Sequence, residues 1–370
     1  MNAIPDHSQA AVLRHFGEEL KLEPVPVPDE IEPGAILVKT EACSICGTDV
    51  HLWQGSLALK VDLPVILGHE MVGRIVKLGS GADRDTTGTP LREGDRICWT
   101  HTACGHCFFC SVARQPTLCE NRRAYMYENM EKSPYLLGGF SEYGYVLPDS
   151  GRIKVPDNVS NALASLSSCA FRSVMNGFDN LGGVSSSESV VIQGAGPLGL
   201  LAAGVASVAG AKRVIVIGAP NDRLALAEEF GASHTISIER HDAASRLDRV
   251  RELTDGRGAD VVMEFTGHPA AFGEGLDIVR RGGRYLVVGQ LGEGSTTIKP
   301  STIVKKNVHV IGSFSGDARS YFKALDFVSR QQERIPFEKM ITGRYKLSEV
   351  NTALQRMKRL EEIKPLIELV

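Results

Sequence analysis

Between Cys46 and Glu70 the sequence reads CGTDVHLWQGSLALKVDLPVILGHE, bringing a thiol, two imidazoles, a hydroxyl and carboxylates into one short stretch. These are zinc-type donors. Zn²⁺ accepts thiolate, imidazole and carboxylate, and a catalytic site keeps one position open beside three protein ligands. Cys46 and His69 are the first two ligands expected. Thr48 and His51 offer a hydroxyl and an imidazole able to relay a proton, and Asp49 can orient a ligating histidine from behind. A buried thiol and two surface histidines would read the same in isolation, so the assignment depends on what accompanies them.

A second cluster follows in CGHCFFCSVARQPTLC, where Cys104, Cys107, Cys110 and Cys119 are spaced by three, three and nine. Four thiolates this close can close a tetrahedral Zn–S₄ site that staples a loop and leaves no position for chemistry. An iron–sulfur cluster takes the same donors. Structural zinc is the expectation.

A third motif is Gly194-Ala195-Gly196-Pro197-Leu198-Gly199, which matches G-x-G-x-x-G after the apolar run SVVIQ and at the start of a helical pattern. In that setting Gly194 makes the tight turn, Gly196 lets backbone approach a pyrophosphate, and Gly199 lets helix pack on strand. The fingerprint also expects a carboxylate about 20 residues on, to bind the adenosine ribose. VIVIGAPND places Gly218 there instead, which removes the charge that would repel a 2′-phosphate. Arg223 is the nearest cation; it can serve a phosphate or be a solvated helix residue, so NAD and NADP both stay open.

The elements that must hold these residues fall into two textures. From Ala10 to about Gly151 short β-type runs such as GAILVKTEA and MVGRIVKLG are broken by Gly and Pro, which reads as an all-β unit. Within it GSGADRDTTGTPLREG is polar and Gly-rich, an exposed loop without chemistry. From Ser189 strands and helices alternate through RVIVIG, HTISI, ADVVMEF, RYLVVG and VHVIGS, and six such runs predict a doubly wound parallel sheet. After Gly316 two helical segments, ARSYFKALDFVSR and LSEVNTALQRMKRLEE, flank the strand-like ITGRYKL and carry no evident site residue.

A chain of 370 residues exceeds the size of one hydrophobic core, so two domains are expected. With 43% apolar and 23% charged residues and a net charge of −3, it has no basic excess for nucleic acid or an anionic membrane surface. The N-terminus lacks a secretory pattern, and no stretch approaches the ~20 apolar residues of a membrane helix. A cytoplasmic location is expected, where eight cysteines suggest metal rather than disulfides.

Together, C-G-T-D at Cys46–Asp49, G-H-E at Gly68–Glu70, the thiolate lobe and the glycine motif make nearly the whole chain resemble the zinc-dependent medium-chain alcohol dehydrogenases. The resemblance implies an α/β protein: a GroES-like β catalytic domain over 1–172 with the structural zinc lobe, a Rossmann domain over 173–313, and a returning segment over 314–370, with the active site in the cleft between domains. It implies Cys169 as third ligand of the catalytic zinc, Glu70 as an exchangeable one, and Thr48 and His51 as the proton path. Pocket positions fall on Trp53, Trp99, Tyr125, Met126 and Phe171, a lining that favours a bulky apolar or cyclic alcohol over a polyol. A polyol dehydrogenase of the same family is the alternative; a zinc-free quinone reductase and a non-enzymatic cofactor-binding protein are further ones. A homodimer or homotetramer is expected.

Two departures stand against that pattern. The gap SVARQPTL before Cys119 is one residue longer than usual, and Gly218 replaces the ribose carboxylate. The two donor clusters predict two zinc ions per chain, one catalytic and one structural; elemental analysis of the purified protein finding one or none would refute the assignment.

Overall fold

The computed structural model describes residues 4–57, 59–292 and 294–369. The chain divides into two compact units. The first holds residues up to Arg172, Gly316–Gln331 and the stretch from Phe337 on; the second holds Ser173–Ser315 and Gln332–Pro336.

The first unit is built on two sheets. A seven-stranded sheet runs Gly343–Lys346, Pro365–Glu368, Ile36–Ser44, Met71–Leu78, Arg96–Thr102 and Ser150–Lys154, with Tyr143–Val146 also paired to Ile36–Ser44. All its pairings are antiparallel except that of Gly343–Lys346 with Pro365–Glu368. A three-stranded sheet joins Lys21–Pro26, His7–Leu13 and Val65–Ile66. Strand Ile36–Ser44 is buried at every residue but Lys39, the pattern of a strand covered on both faces.

The expected all-β texture is interrupted. Helix Gly47–Trp53 follows that central strand directly, and its inward face buries Val50, Leu52 and Trp53. Seven residues, one of them glycine, are too short for a period to show in the sequence. A second helical stretch runs through Asn161–Leu166, a π-turn at Ser167–Phe171 and the helix Arg172–Leu181. The loop over 79–94 is present as read. It is organised by Asp85, whose Oδ1 accepts from Thr87 and Thr89 N–H groups at 2.8 and 2.9 Å.

The second unit is a six-stranded parallel sheet in the order His234–Ser237, Arg213–Gly218, Ser189–Gln193, Ala259–Glu264, Val279–Val287, His309–Gly312. Chain order reverses between Ser189–Gln193 and Ala259–Glu264, the switch point where doubly wound sheets bind dinucleotides. Ser189–Gln193 is buried throughout, as helices on both faces require. Helix Pro197–Val208 starts on Pro197, where a missing N–H costs nothing, and stops before Gly210 at φ +82°.

Each glycine of the motif meets a distinct demand. Gly194 sits at φ +114°. A Cβ on Gly199 would lie 1.8 Å from the Gly194 carbonyl oxygen, so no side chain fits where the helix leaves the strand. A Cβ on Gly196 would meet nothing within 4 Å, which leaves the backbone open to a ligand. The Gly199→Ala variant is therefore expected to lose about 2 kcal/mol of stability, read as a lower urea midpoint at unchanged slope, together with dinucleotide affinity. An unchanged midpoint would refute the close approach.

Candidate metal centre and dinucleotide turn

Cys46 closes the central strand and caps helix Gly47–Trp53. The helix's own Asp49 fixes that cap, because its Oδ2 accepts the Cys46 N–H at 2.7 Å. The other oxygen reaches across to the Gly68-His69-Glu70 turn, accepting the Gly68 N–H at 3.0 Å and lying 3.3 Å from His69 Nδ1. An ionised carboxylate only accepts, so Nδ1 carries a ring hydrogen toward Asp49 and Nε2 is the nitrogen left to bind a metal in place of a proton. Asp49 and Glu70 are fully buried, and His69 is nearly so.

Donor atoms of Cys46, His69, Glu70 and Cys169 all lie within 4.8 Å of one another, and the two sulfurs are 4.0 Å apart. Two sulfurs on one tetrahedral zinc at the usual Zn–S length sit ~3.8 Å apart, so the cluster has the dimensions of a zinc site. Cys169 comes from the π-turn Ser167–Phe171, a widened helical turn of the kind found at functional sites. The Cys46 thiol is held well below its ordinary value, chiefly by the Cys169 hydrogen bond and then by Lys364 and His69 against burial, while Cys169 is driven well above it by the same neighbour. Burial would lower the His69 pKa, but Asp49 and Cys169 outweigh it and hold the ring well above the usual imidazole value. A buried pair of thiols that cannot both ionise alone is the electrostatic counterpart of a divalent cation.

Glu70 is held from behind. Its Oε2 accepts from Ser44 Oγ and from Lys364 Nζ, each at 2.5 Å, while Oε1 is buried without a hydrogen-bond partner. That orphaned oxygen fits a donor waiting for a cation. Burial pushes the carboxyl up to about 7 even though Lys364 opposes it. Lys364 is 1% exposed and precedes strand Pro365–Glu368, so the C-terminal segment does carry a site residue, contrary to the reading of its sequence. No local motif marks it; only the pairing of Leu366 with Ser44 brings it here.

Thr48 Oγ1 lies 3.8 Å from the Cys46 sulfur. His51 is exposed and its Nδ1 pairs with Ser56 Oγ at 3.1 Å. Among the described residues no direct hydrogen bond joins Thr48 to His51, so a relay between them needs a bridging hydroxyl or water. The five expected pocket residues belong to the core of the first unit: Trp53, Trp99, Tyr125, Met126 and Phe171 are each at most 7% exposed. Trp53 donates its indole N–H to the Glu18 carbonyl, and Phe171 packs on Phe327 and Phe337. Their size and apolarity are used for packing, which the sequence could not separate from lining a pocket.

The four sulfurs of Cys104, Cys107, Cys110 and Cys119 also lie within 4.8 Å of one another. The longer gap is taken up by the 3₁₀ turn Pro116–Leu118, which delivers Cys119 to within 4.0 Å of Cys107. Asn121 Nδ2 donates to Cys104 at 3.4 Å and lowers its pKa to about 6, and the Cys104 N–H donates to Cys119. Donors aimed at sulfur suit thiolates bound to a metal.

In the second unit Pro197 and Leu198 are half-buried at the mouth of the glycine turn. Gly218 lies against it: a Cβ there would be 2.8 Å from both the Cβ and the N of Ala195. A carboxylate at 218 would have to displace the turn. Arg223 is 8% exposed within helix Asn221–Glu229 rather than solvated on its surface.

A β unit carrying two metal-type donor clusters and a doubly wound sheet with an open glycine turn together define a two-unit dehydrogenase. Residues 32–157 match the alcohol dehydrogenase GroES-like domain, and residues 197–330 match the zinc-binding dehydrogenase domain. The chain is 35% identical over 347 residues to the 5-exo-hydroxycamphor dehydrogenase of Pseudomonas putida, covering 93% of this chain and 94% of that one. It is 30% identical over 365 residues to the sorbitol dehydrogenase of Bacillus subtilis, covering 96% and 95%. Among solved structures it superposes on an alcohol dehydrogenase of Thermotoga maritima with a TM-score of 0.92 at 34% identity, covering 98% and 99%. A zinc-binding dehydrogenase of Sinorhizobium meliloti bound to NADP gives 0.85 at 29%, covering 98% and 100%. The chain belongs to the zinc-dependent medium-chain alcohol dehydrogenase family.

The buried pair behind the cluster is testable. Lys364→Met strands the Glu70 charge and is expected to cost about 3 kcal/mol. Adding Glu70→Gln should restore most of it. Denaturant melts of the single and double variants decide, and equal destabilisation by both would refute the coupling.

Proposed function

We propose that this chain oxidises a primary or secondary alcohol, or reduces the matching carbonyl, using zinc and a nicotinamide dinucleotide. The observation that carries the reading is the convergence of Cys46, His69 and Cys169 with Thr48 beside them. When bound, zinc would supply Lewis acidity toward the hydroxyl, and the dinucleotide the hydride acceptor. Cys46, Cys169 and His69 would hold the metal, and Asp49 fixes the orientation of His69. Thr48 Oγ1, next to the Cys46 sulfur, would take the proton from the alcohol. His51, in solvent on the same helix, would release it through a bridging hydroxyl. Glu70 stands behind as a donor that Lys364 keeps charge-balanced. Gly194, Gly196 and Gly199 shape the turn that lets backbone N–H groups approach a pyrophosphate, with Pro197 opening the helix behind it.

The relatives named above act on a bicyclic alcohol and on a sugar alcohol, so both the cyclic and the polyol readings stay within the family. The absence of a carboxylate at Gly218 supports acceptance of either NAD or NADP. Self-association is supported by the edge of the parallel sheet, where strand His309–Gly312 leaves Val310 39% exposed and the preceding helix leaves Val304 79% exposed. Among the described residues no helix is long and apolar enough to cross a membrane.

Steady-state oxidation of linear, cyclic, benzylic and polyol alcohols, each with NAD⁺ and with NADP⁺, tests the reading. Cys46→Ala is expected to lower kcat at least ~1,000-fold, the order lost when an electrophilic group is removed from a reaction centre, while dinucleotide binding measured by fluorescence persists. Retained turnover would refute the role of Cys46.

A further inference from the structure

Arg172 is an unexplained buried cation. It is 1% exposed, and both its Nε and its Nη1 are buried without a hydrogen-bond partner. Among the described residues no carboxylate forms an ion pair with it. A guanidinium left this way is unfavourable by several kcal/mol unless an anion joins it.

The space for such an anion lies alongside. A cavity of about 490 Å³ in the first unit is bounded by His101, Arg122, Gly316 and Arg319 among others. Arg172 stands behind this wall rather than on it: its Cγ would lie 3.1 Å from a Cβ on Gly316, and its charge acts on both His101 and Arg122. The cavity borders the metal cluster across one ring, that of His101 on its wall, which stacks on His69 with centroids 6.3 Å apart. Tyr125 N–H donates to His101 Nδ1 at 3.1 Å, so the ring hydrogen is on Nε2 and available to an acceptor. Two of the acids that border the cavity are already committed. Asp85 takes backbone N–H groups of its loop and of Lys154, and Asp317 accepts from Ser320 at the start of helix Ala318–Gln331. Asp149 is the remaining opposing charge. Burial together with the like charge of Arg172 lowers the Arg122 pKa to about 10, and the same two arginines help burial hold His101 neutral.

We propose that the cavity beside His101 is an oxyanion subsite, where Arg122 on its wall, with the unpaired charge of Arg172 behind it, receives the carboxylate or phosphate of the alcohol substrate. The inference rests on the dehydrogenase reading and narrows its substrate to alcohols that carry an anionic group at a distance from the reacting carbon. An arginine already desolvated gives its charge to the ligand at full strength, because no water competes for it.

Two measurements judge it separately from turnover. Calorimetric titration of the zinc-loaded protein with hexanoate and with inorganic phosphate should show one of them binding, and Arg172→Met should weaken that binding about tenfold or more, the size of a charge-assisted contact. Carboxylate bound at zinc alone would be indifferent to the change, which separates the two places. Should Arg172→Met fail to fold, Arg122→Gln at the half-buried rim is read in the same way. No binding by either anion, or binding unchanged in the variants, overturns the subsite. In the second measurement kcat/KM is compared for ω-hydroxyhexanoate against hexanol and for sorbitol phosphate against sorbitol. An advantage of about tenfold for one anionic member, lost in the variant, supports the subsite and names its ligand. Equal values within both pairs overturn it and leave the dehydrogenase reading intact. If no alcohol is turned over, the dehydrogenase reading falls while the titration still decides whether the cavity binds anions.

Discussion

One buried carboxylate organises the metal centre. Asp49 accepts the N–H of Cys46, the N–H of Gly68 and the imidazole of His69, so it sets the direction of two donors that stand far apart in sequence. Hydrogen bonds of this charge-assisted kind are short and directional. With Asp49 neutral or absent, His69 would lose its tautomer and Cys46 its cap, and the cluster would lose its geometry before losing any ligand. The position depends in turn on helix Gly47–Trp53, which is held to the core by Leu52 and Trp53.

The second constraint is charge. Two thiols, an imidazole and a carboxylate share a buried volume, and Lys364 brings a positive charge to it from the chain itself. Two thiolates match the charge of a divalent cation, and Glu70 matches Lys364, so the remaining charge of the loaded centre is that of Asp49, which is stabilised by its hydrogen bonds. A site of this kind is stable only as a complete set. The same reasoning makes Arg172 conspicuous: among the described residues it forms no ion pair, and two of its three guanidinium nitrogens are buried without a hydrogen-bond partner.

The local part of this architecture was legible in the sequence. Residue type and spacing pointed to the four thiols of the lobe and to the glycine turn, and in their company to Cys46 and His69, because metal and phosphate sites need particular donors at short separations. Six apolar runs gave the parallel sheet, since strands covered on both faces are continuously apolar. Illegible residues were those whose meaning comes from the fold. Lys364 is one lysine among many until strand Pro365–Glu368 pairs with Ile36–Ser44. Cys169 needed the family likeness, because a π-turn has no sequence mark. Trp53, Trp99 and Tyr125 were misread because an aromatic side chain that packs and one that lines a pocket are the same residue in a sequence.

The pairing of Leu366 with Ser44 spans more than three hundred residues of chain. The second unit, by contrast, is almost wholly one continuous segment. During synthesis from the N-terminus that segment is complete before Lys364 exists, so the parallel sheet can fold while the metal centre still lacks its internal cation. Until then Glu70 is a carboxylate without its lysine, and the Ala42–Ser44 end of the central strand lacks its C-terminal partner. The order in which the chain is made therefore places dinucleotide-binding structure first and the assembly of the metal centre last.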